Sequence, residues 1–376
     1  MPTRVLTLCL DGFGPDYLAQ SDMPTLRRVQ EQGFAAVGHS LLPSVTNVNT
    51  VALVTGAFAH DHGVTGNAYY DPGEGTNALM ESAHFVRTQT IFAKAQAAGW
   101  RTALVTAKAK LLSLLGRGVD IQVSAENPPL PLQTRLGTPA PIYSREINYW
   151  VLAATREIIR CHAPDLLYVF TTDYAMHKHA PEEEPSQEHL HQIDRLLGQI
   201  LDEVPELLLF VTADHGMNDK RRAIDLGKWL VSLGIEVTVV STIRDRYTEH
   251  HRNLSGSAYV YCQQPHRISQ VTALLQSHPA VEEVWSRDEA AQHFQLCPER
   301  IGDLMVFARK DALFGELAEV EAEIQLRSHG SRHESLVPII GTKTLGYGPY
   351  QYNLEVTRAI QHFFFPDELR PRNWCL

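Results

Sequence analysis

Three aspartates, three histidines and one threonine stand in sequence contexts that suit the binding of divalent metal ions. Carboxylate oxygens and imidazole nitrogens offered together favour zinc among the common metals. The clearest pair is Asp214–His215, which follows an apolar run at 207–211 and precedes Gly216. The full set comprises Asp11, Thr46, Asp173, His177, Asp214, His215 and His329.

Most of these residues have a structural alternative when each is considered alone. Asp214–His215 also suits a surface turn, Asp11 the cap of a turn, and Thr46 the N-cap of a helix. Asp173 and His177 are more informative, because residues four apart face the same way on a helical turn. They therefore form half of a candidate metal site.

Short apolar runs precede the candidate ligands and predict the strands of an α/β fold. The runs at 5–10, 102–106, 165–171 and 207–211 have the continuous apolar character of buried parallel strands. Helical spacing of apolar residues predicts helices at 23–33, 50–56, 90–98, 147–159, 188–201 and 223–233. We therefore expect a mostly parallel central sheet flanked by helices, with the ligands at the carboxyl ends of the strands.

Two further features could hold an anion. Thr46 lies at the N-terminus of the helix predicted at 50–56, where free N–H groups and the helix dipole favour negative charge. Lys108 and Lys110 follow the strand at 102–106 and are either an anion-binding pair or a solvated charge pair. Both alternatives remain open on these residues alone.

Two polar segments fall between these features. His60, Asp61 and His62 are crowded into one turn-like segment before a glycine, and we assign them a structural role there. The turn-rich residues 66–72 include Asn67 and predict a loop near the site.

Residues 242–310 differ in character from the rest of the chain. Apolar or alternating runs at 257–262 and 303–308 predict edge strands, with a helix at 268–277 between them. This pattern predicts a small α+β cap subdomain inserted into the metal-binding core. The core would then comprise residues 1–241 and 311–376.

Composition argues against several classes of protein. The 376 residues carry 33 basic and 43 acidic side chains, a net charge of −10, without a basic block that would bind a nucleic acid polymer. No apolar run approaches the roughly 18 residues needed to cross a membrane. The scattered, odd-numbered cysteines predict reduced thiols in a cytoplasmic protein. They are Cys9, Cys161, Cys262, Cys297 and Cys375. Oligomeric state is left open, with a homodimer as one alternative.

Taken together, the strand-end residues would supply two adjacent metal sites. One site would use Asp173, His177 and His329, and the other Asp11, Asp214, His215 and the oxygen of Thr46. Two metals a few ångströms apart can hold both the attacking and the departing oxygen of an in-line displacement. The arrangement therefore predicts phosphoryl chemistry.

The order of the motifs resembles the alkaline phosphatase superfamily, in the branch of nucleotide pyrophosphatase/phosphodiesterases and phosphonoacetate hydrolase. The resemblance rests on LCLDGFG, PSVTNVNTVALVTG, TTDYAMHKHAP, TADHGMN and RSHG, and it covers most of the chain. It implies an alkaline-phosphatase-like core and two Zn²⁺ ions per chain on the ligands given above. It also implies that Thr46 is the nucleophile.

Within that branch, the segments PSVTNVNT, HGVTGNAYYDP and TAKAKLLSLLG are more similar to phosphonoacetate hydrolases. This similarity implies cleavage of phosphonoacetate to acetate and phosphate through a phosphothreonyl intermediate, with Lys108 and Lys110 on the substrate carboxylate. We expect Asn67 and the N–H groups after Thr46 to donate to the phosphoryl oxygens. The family uses one more lysine on its substrate, for which Lys178 and Lys220 are candidates.

Two alternatives stay open at this point. A phosphodiesterase or pyrophosphatase acting on nucleotides would need an aromatic slot for a base, and Tyr69, Tyr70 and Tyr174 could supply one. A noncatalytic metal-binding protein is disfavoured by Thr46, because a structural zinc site needs no hydroxyl and no open position.

Overall fold

The computed structural model describes residues 4–366, within which sixteen strands and fifteen α-helices alternate along the chain. The strands are β1 Val5–Cys9, β2 Phe34–His39, β3 Ala68–Asp71, β4 Thr76–Leu79, β5 Thr102–Thr106, β6 Ile121–Ser124, β7 Leu166–Phe170, β8 Leu208–Thr212, β9 Asn218–Ile224, β10 Val237–Ser241, β11 Ser257–Cys262, β12 Val281–Ser286, β13 Leu304–Ala308, β14 Ala312–Phe314, β15 Glu321–Ser328 and β16 Leu336–Gly341. The helices are α1 Pro15–Gln20, α2 Pro24–Gln32, α3 Thr46–Thr55, α4 Ala59–His62, α5 Ile91–Ala97, α6 Ala109–Leu115, α7 Leu130–Leu136, α8 Glu146–His162, α9 Tyr174–Lys178, α10 Glu184–Glu203, α11 Leu226–Ser232, α12 Thr248–His251, α13 Ile268–Ser277, α14 Arg287–Phe294 and α15 Glu355–Phe364.

A seven-stranded sheet in the order β2-β16-β8-β1-β7-β5-β6 forms the centre of the molecule. Strands β8, β1, β7, β5 and β6 are parallel, whereas β16 runs antiparallel to both of its neighbours. All residues of β1, β5, β7 and β8 are buried, as expected for strands covered on both faces. The predicted α/β fold with a mostly parallel central sheet is confirmed.

Helices cover both faces of this sheet and form a three-layer core. Along β1, Val5 and Cys9 face one hydrophobic cluster, while Leu6 and Leu8 face the other, following the two-residue period of a strand. The first cluster includes residues of α3, α5, α6 and α15, and the second includes residues of α2, α8 and α10. Every side chain of α3 is buried, so its N-terminus is held rigidly under the edge of the sheet.

A second, antiparallel sheet in the order β10-β11-β13-β12 has its own hydrophobic cluster, to which α13 contributes Val271 and Leu275. Three of its strands fall in the segment predicted as a cap, while β10 lies just before the predicted boundary at residue 242. The division into core and inserted cap stays a prediction. Smaller sheets join β14-β9-β15 and the hairpin β3-β4.

Two local predictions were wrong. The helix expected at 223–233 is shorter, because the chain first completes β9 and then starts α11 after Asp225, whose side chain accepts the Lys228 N–H. The loop expected at 66–72 contains β3, which pairs with β4. The polar residues of β9 form a strand because β14 and β15, distant in sequence, pair with it, whereas β3 pairs with β4 in a local hairpin.

Between residues 4 and 366, no helix combines the length and the apolar character needed to cross a bilayer. Cys9, Cys161, Cys262 and Cys297 are free thiols. Cys375 lies outside the described residues, as do residues 367–376 of the predicted core.

His62 is a buried histidine away from the metal-ligand residues. Its Nδ1 accepts the Val64 N–H at 3.1 Å, whereas His60 is exposed and lies 3.0 Å from Asp61. Burial lowers the pKa of His62 to about 3. This residue therefore stays neutral in the folded protein over the physiological range.

We expect His62 to make the protein less stable in mild acid. An unfolded histidine takes up a proton below about pH 6.5, which folded His62 does not do until about pH 3. The contribution of His62 to the free energy of unfolding is therefore complete above the unfolded pKa. It declines as the pH falls and is smaller by about 2 kcal/mol at about pH 5. Denaturant unfolding above about pH 6.5 and at about pH 5 measures this loss of stability.

His62→Asn is the matched variant, because an amide oxygen can accept the Val64 N–H without titrating. It should lose about 2 kcal/mol less than the wild type on acidification. An identical pH dependence in both proteins would contradict the assignment.

Candidate active site

The predicted ligands meet at the carboxyl ends of three adjacent strands. Asp11 follows β1, Asp173 follows β7, and Asp214 with His215 follows β8. Since β8, β1 and β7 are parallel neighbours in register, these side chains emerge at one edge of the sheet. All are buried, and so is His329, which follows β15.

One group of ligand atoms surrounds Asp173. His177 Nε2 lies 2.8 Å from Asp173 Oδ2, one turn along α9, and His329 Nε2 lies 3.8 Å from the same oxygen. Asp173, His215 and His329 offer ligand atoms within 4.8 Å of one another. The predicted first site is therefore brought together, with His215 close enough to be shared.

A second group surrounds His215. Its Nε2 lies 3.4 Å from Asp11 Oδ1, from Asp214 Oδ2 and from Thr46 Oγ1. Thr46 is the first residue of α3. The division of ligands between two ions stays a prediction, because the His215 and His329 rings stack at 3.5 Å between the groups.

Backbone carbonyls fix the tautomer of all three histidines. His177 Nδ1 lies 2.6 Å from the Arg327 carbonyl, His215 Nδ1 2.9 Å from that of Gly216, and His329 Nδ1 2.8 Å from that of Ser44. A carbonyl only accepts, so Nδ1 carries the proton and donates it. Each Nε2 therefore directs a lone pair into the site, the usual arrangement of metal-binding histidines.

The donor set fits divalent cations. Asp11 Oδ1, Asp214 Oδ2 and His177 Nε2 are buried without a hydrogen-bond partner. With Nδ1 donating to a carbonyl, neutral His177 directs the lone pair of Nε2 at a carboxylate oxygen 2.8 Å away, and a bound cation would relieve that repulsion. Mixed oxygen and nitrogen ligands of this kind suit zinc.

Negative charge is in excess at this site. Burial, and then the charges of Asp173 and Asp214, raise the pKa of Asp11 to about 8. Burial and the charge of Asp173 raise the pKa of Asp214 to about 6. Two buried acids that resist ionisation in the protein alone would ionise readily beside a dication.

Lys108 lies between the two groups of ligands. Its Nζ is 2.8 Å from Asp11 Oδ2 and 2.9 Å from Asp173 Oδ1. Burial alone would lower the pKa of this lysine, but the two carboxylates raise it well above its usual value. The solvated-pair alternative for this residue is wrong, because Lys108 is buried.

Lys110 is also buried, but it has a different partner. Its Nζ lies 2.5 Å from Asp245 Oδ2 and 4.0 Å from Glu81 Oε1. The two ammonium groups lie 5.9 and 5.5 Å from the ring centroid of Tyr247, so both lysines border one region of the site.

Asn67 lies beside the N-terminus of α3. Its Oδ1 accepts the Asn47 N–H at 3.3 Å, and its Nδ2 donates to Asp245 Oδ2 at 3.2 Å. Asn67 is therefore joined to the residue that follows Thr46, and its role in binding phosphoryl oxygens stays a prediction.

Segment 245–251 covers the site and was missed by the sequence analysis. It contributes the buried side chains of Asp245, Tyr247, His250 and His251. The His250 ring stacks on that of His177 with centroids 5.6 Å apart. The adjacent histidines at 250 and 251 are the sequence feature that could have identified this segment.

The other candidates lie apart from the ligand groups. Lys220 is buried and donates to Glu334 Oε1 and to the Lys310 carbonyl, each at 2.8 Å. The Lys178 ammonium donates to the Glu249 carbonyl at 3.4 Å. Neither contact supports a substrate-binding lysine.

The three candidate tyrosines do not form one slot. Tyr69 packs against Phe85 and Tyr70 against Tyr261, whereas Tyr174 lies 5.6 Å from His250. Only Tyr174 is therefore placed beside the site.

Comparison with known proteins agrees with these features. Residues 5–332 match the family model of type I phosphodiesterase / nucleotide pyrophosphatase. The crystal structure of phosphonoacetate hydrolase from Sinorhizobium meliloti 1021 in complex with phosphonoacetate is 31% identical, with a TM-score of 0.88 over 96% of this chain and 95% of that chain. Murine ectonucleotide pyrophosphatase / phosphodiesterase 5 shares the fold, with 18% identity and a TM-score of 0.69 over 96% of this chain and 94% of that chain.

Curated relatives match over shorter stretches. Venom phosphodiesterase from Naja atra is 24% identical over 229 residues, which are 57% of this chain and 26% of the venom protein. Bis(5'-adenosyl)-triphosphatase ENPP4 from Bos taurus is 22% identical over 249 residues, 60% of this chain and 50% of the bovine protein. The matched part thus spans between a quarter and a half of the length of these relatives.

The family model covers most of the chain, and the structural match to the Sinorhizobium hydrolase extends over nearly all of it. The predicted membership of the alkaline phosphatase superfamily is confirmed. The chain belongs to the type I phosphodiesterase / nucleotide pyrophosphatase family of metal-dependent hydrolases.

Proposed function

We propose that the protein hydrolyses the carbon–phosphorus bond of phosphonoacetate and releases acetate and phosphate. The observation that carries the proposal is a buried hydroxyl, Thr46, beside two groups of metal ligands and within a site that also buries Lys108 and Lys110. A phosphonate dianion suits the metal ligands beside Thr46, and a carboxylate on the same molecule suits the two lysines. The likeness to the Sinorhizobium phosphonoacetate hydrolase supports the choice.

Two zinc ions would be held by the predicted ligands, Asp173, His177 and His329 for one and Asp11, Asp214, His215 and Thr46 for the other. When bound, such ions supply the positive charge that makes a hydroxyl acidic and that stabilises charge on phosphoryl oxygens.

Thr46 would act as the nucleophile. In the first step a bond forms between Thr46 Oγ1 and phosphorus while the carbon–phosphorus bond breaks, and its electron pair stays on the departing acetate carbon. That charge delocalises onto the carboxylate and is removed when the carbon takes a proton from water, and the hydroxide so formed is neutralised by the proton that the Thr46 hydroxyl gives up. Water then attacks the phosphothreonine, which releases phosphate and restores the hydroxyl.

Other residues would bind and orient the substrate. Asn67 and N–H groups at the start of α3 would donate to the phosphoryl oxygens, on which charge increases in the transition state. Lys108 and Lys110 would hold the carboxylate, where they also stabilise the charge that moves onto it from carbon.

Hydrolysis of phosphodiesters or pyrophosphates is the second candidate. The family and the venom relatives favour it, and Tyr174 with Tyr143 at 6.0 Å offers an aromatic surface near His250. It ranks second because two buried lysines beside the site have no evident use with a neutral nucleoside group.

A phosphate-release assay on purified, zinc-loaded protein tests the proposal. Phosphonoacetate should be preferred over bis(p-nitrophenyl) phosphate by at least about a hundredfold in kcat/KM, the scale that a charged contact in a buried site can supply. A preference for the diester by orders of magnitude would establish the second candidate instead.

Lys110→Met should reduce kcat/KM for phosphonoacetate by about a hundredfold, since one charge-assisted contact is worth about 1.5–3 kcal/mol. Turnover of the diester should fall much less, because the diester has no carboxylate and loses only the support that Lys110 gives to Asp245 and Asn67. Lys343→Met, which removes an exposed lysine, is the control. Lys108→Met should impair both substrates, because Lys108 also contacts Asp11 and Asp173. Equal losses on both substrates in Lys110→Met would refute a carboxylate role for Lys110.

We also propose that the substrate is a small anion and that the protein acts in the cytoplasm. The net charge of −10 disfavours a nucleic acid polymer, and the free thiols within residues 4–366 agree with a reducing compartment.

A further inference from the structure

Asp245 connects residues that would bind different parts of the substrate. Its Oδ2 accepts from Lys110 Nζ at 2.5 Å and from Asn67 Nδ2 at 3.2 Å. Its Oδ1 accepts from the Tyr247 N–H at 2.8 Å and lies 3.1 Å from His251 Nε2. One carboxylate thus joins the start of α6, the residue before β3 and the segment that covers the site.

The charge state of Asp245 follows from these partners. Burial would raise the pKa of this carboxyl, but Lys110 and His251 hold it well below its usual value. An ionised carboxylate only accepts hydrogen bonds. Every group that faces Asp245 must therefore present a donor.

This requirement orients the amide of Asn67. Its NH₂ must face Asp245, and its oxygen accepts the Asn47 N–H on the other side. One of the two N–H bonds of the NH₂ group is used by Asp245, which leaves the second for a substrate oxygen. Without Asp245 the amide could rotate and present its oxygen to an anionic phosphoryl group.

Asp245 also fixes the ammonium of Lys110. The stem of Lys110 is long and flexible, and the contact with Asp245 confines its charged end to one position. The remaining N–H bonds of the ammonium stay available to a carboxylate. Confinement before binding lowers the entropy lost when the substrate is held.

We propose that Asp245 is a positioning residue that sets Asn67 for the phosphoryl group and Lys110 for the carboxylate, and so selects phosphonates that carry a carboxylate. The inference rests on the proposed function for the role of Lys110. The orientation of Asn67 by Asp245 would matter for any phosphoryl substrate.

The test compares Asp245→Asn and Asp245→Glu with Glu249→Gln, which removes one exposed carboxylate from the same segment. Loss of orientation at Asn67 should lower kcat several-fold for phosphonoacetate and diester alike. Loss at Lys110 should in addition raise KM about tenfold for phosphonoacetate alone. Asp245→Glu keeps the charge and should retain part of the selectivity, and it serves the same comparison if Asp245→Asn does not fold.

Calorimetric measurement of ligand binding to the zinc-loaded protein tests the role of Asp245 separately from the proposed hydrolysis of phosphonoacetate. Asp245→Asn should weaken phosphonoformate, which carries a carboxylate, about tenfold more than inorganic phosphate, with zinc content unchanged. In a Lys110→Met background the same substitution should cause no further selective loss, because the two residues act together.

Equal weakening of phosphonoformate and phosphate by Asp245→Asn would overturn the role assigned through Lys110. Unchanged kcat in every folded Asp245 variant would overturn the role assigned through Asn67. If the wild type turns over only the diester, the proposed function fails, whereas the comparison of phosphonoformate with phosphate still decides what Asp245 does.

Discussion

Replacing Thr46 with alanine is expected to reduce phosphate release by about 10⁴-fold or more, the usual effect of removing a nucleophile. Thr46 is the first residue of α3, its hydroxyl lies 3.4 Å from His215 Nε2, and alanine has no atom that could bond to phosphorus in its place. The zinc content should persist, because Asp11, Asp214 and His215 still supply three ligands. Activity is followed by phosphate release, and metal by elemental analysis.

Thr46→Ser is the matched control for this prediction. Serine keeps a hydroxyl in the same position, so part of the activity should remain. Trapping of a phosphorylated residue 46 by acid quenching should succeed in the wild type and the serine variant only. Turnover near the wild-type rate in Thr46→Ala would mean that water attacks phosphorus directly. A zinc-loaded wild type that hydrolyses neither substrate would favour the noncatalytic alternative.

Removal of metal is expected to abolish hydrolysis and also to destabilise the fold. Three buried aspartates share one site with Lys108 as their close cation, so bound dications should relieve strong repulsion in the folded state. Free zinc at about a thousandfold above its dissociation constant would stabilise the protein by about 4 kcal/mol. For a chain of this length, that corresponds to a rise in Tm of about 5 °C.

Thermal melting with a chelator and after addition of zinc measures this effect. Zinc should restore both Tm and activity, whereas magnesium should restore neither, because it does not favour sites rich in histidine. Asp214→Asn offers a second check, since it removes one negative charge and one ligand and should reduce the gain in Tm. A Tm that does not respond to zinc would contradict occupancy of this site.

The sequence alone was enough to predict the central sheet and to place candidate metal ligands at one edge of it. Buried parallel strands are continuous apolar runs, and the residue that follows each run must lie at the edge where ligands bind. This local rule located Asp11, Asp173 and Asp214. The spacing of Asp173 and His177 placed both on one helical turn, as α9 shows.

The partners of the lysines and the segment over the site were decided only by tertiary structure. Lys108 and Lys110 are two residues apart, yet one contacts Asp11 and Asp173 while the other contacts Asp245, more than a hundred residues away. No local pattern encodes such pairs, because they depend on how the start of α6 meets the ends of β1 and β7 and segment 245–251 in space. The sequence by itself therefore determined which residues stand at the strand ends as candidate ligands. Long-range packing decided which charged groups lie beside Lys108 and Lys110, because a buried charge needs a partner and only the fold determines which one is near.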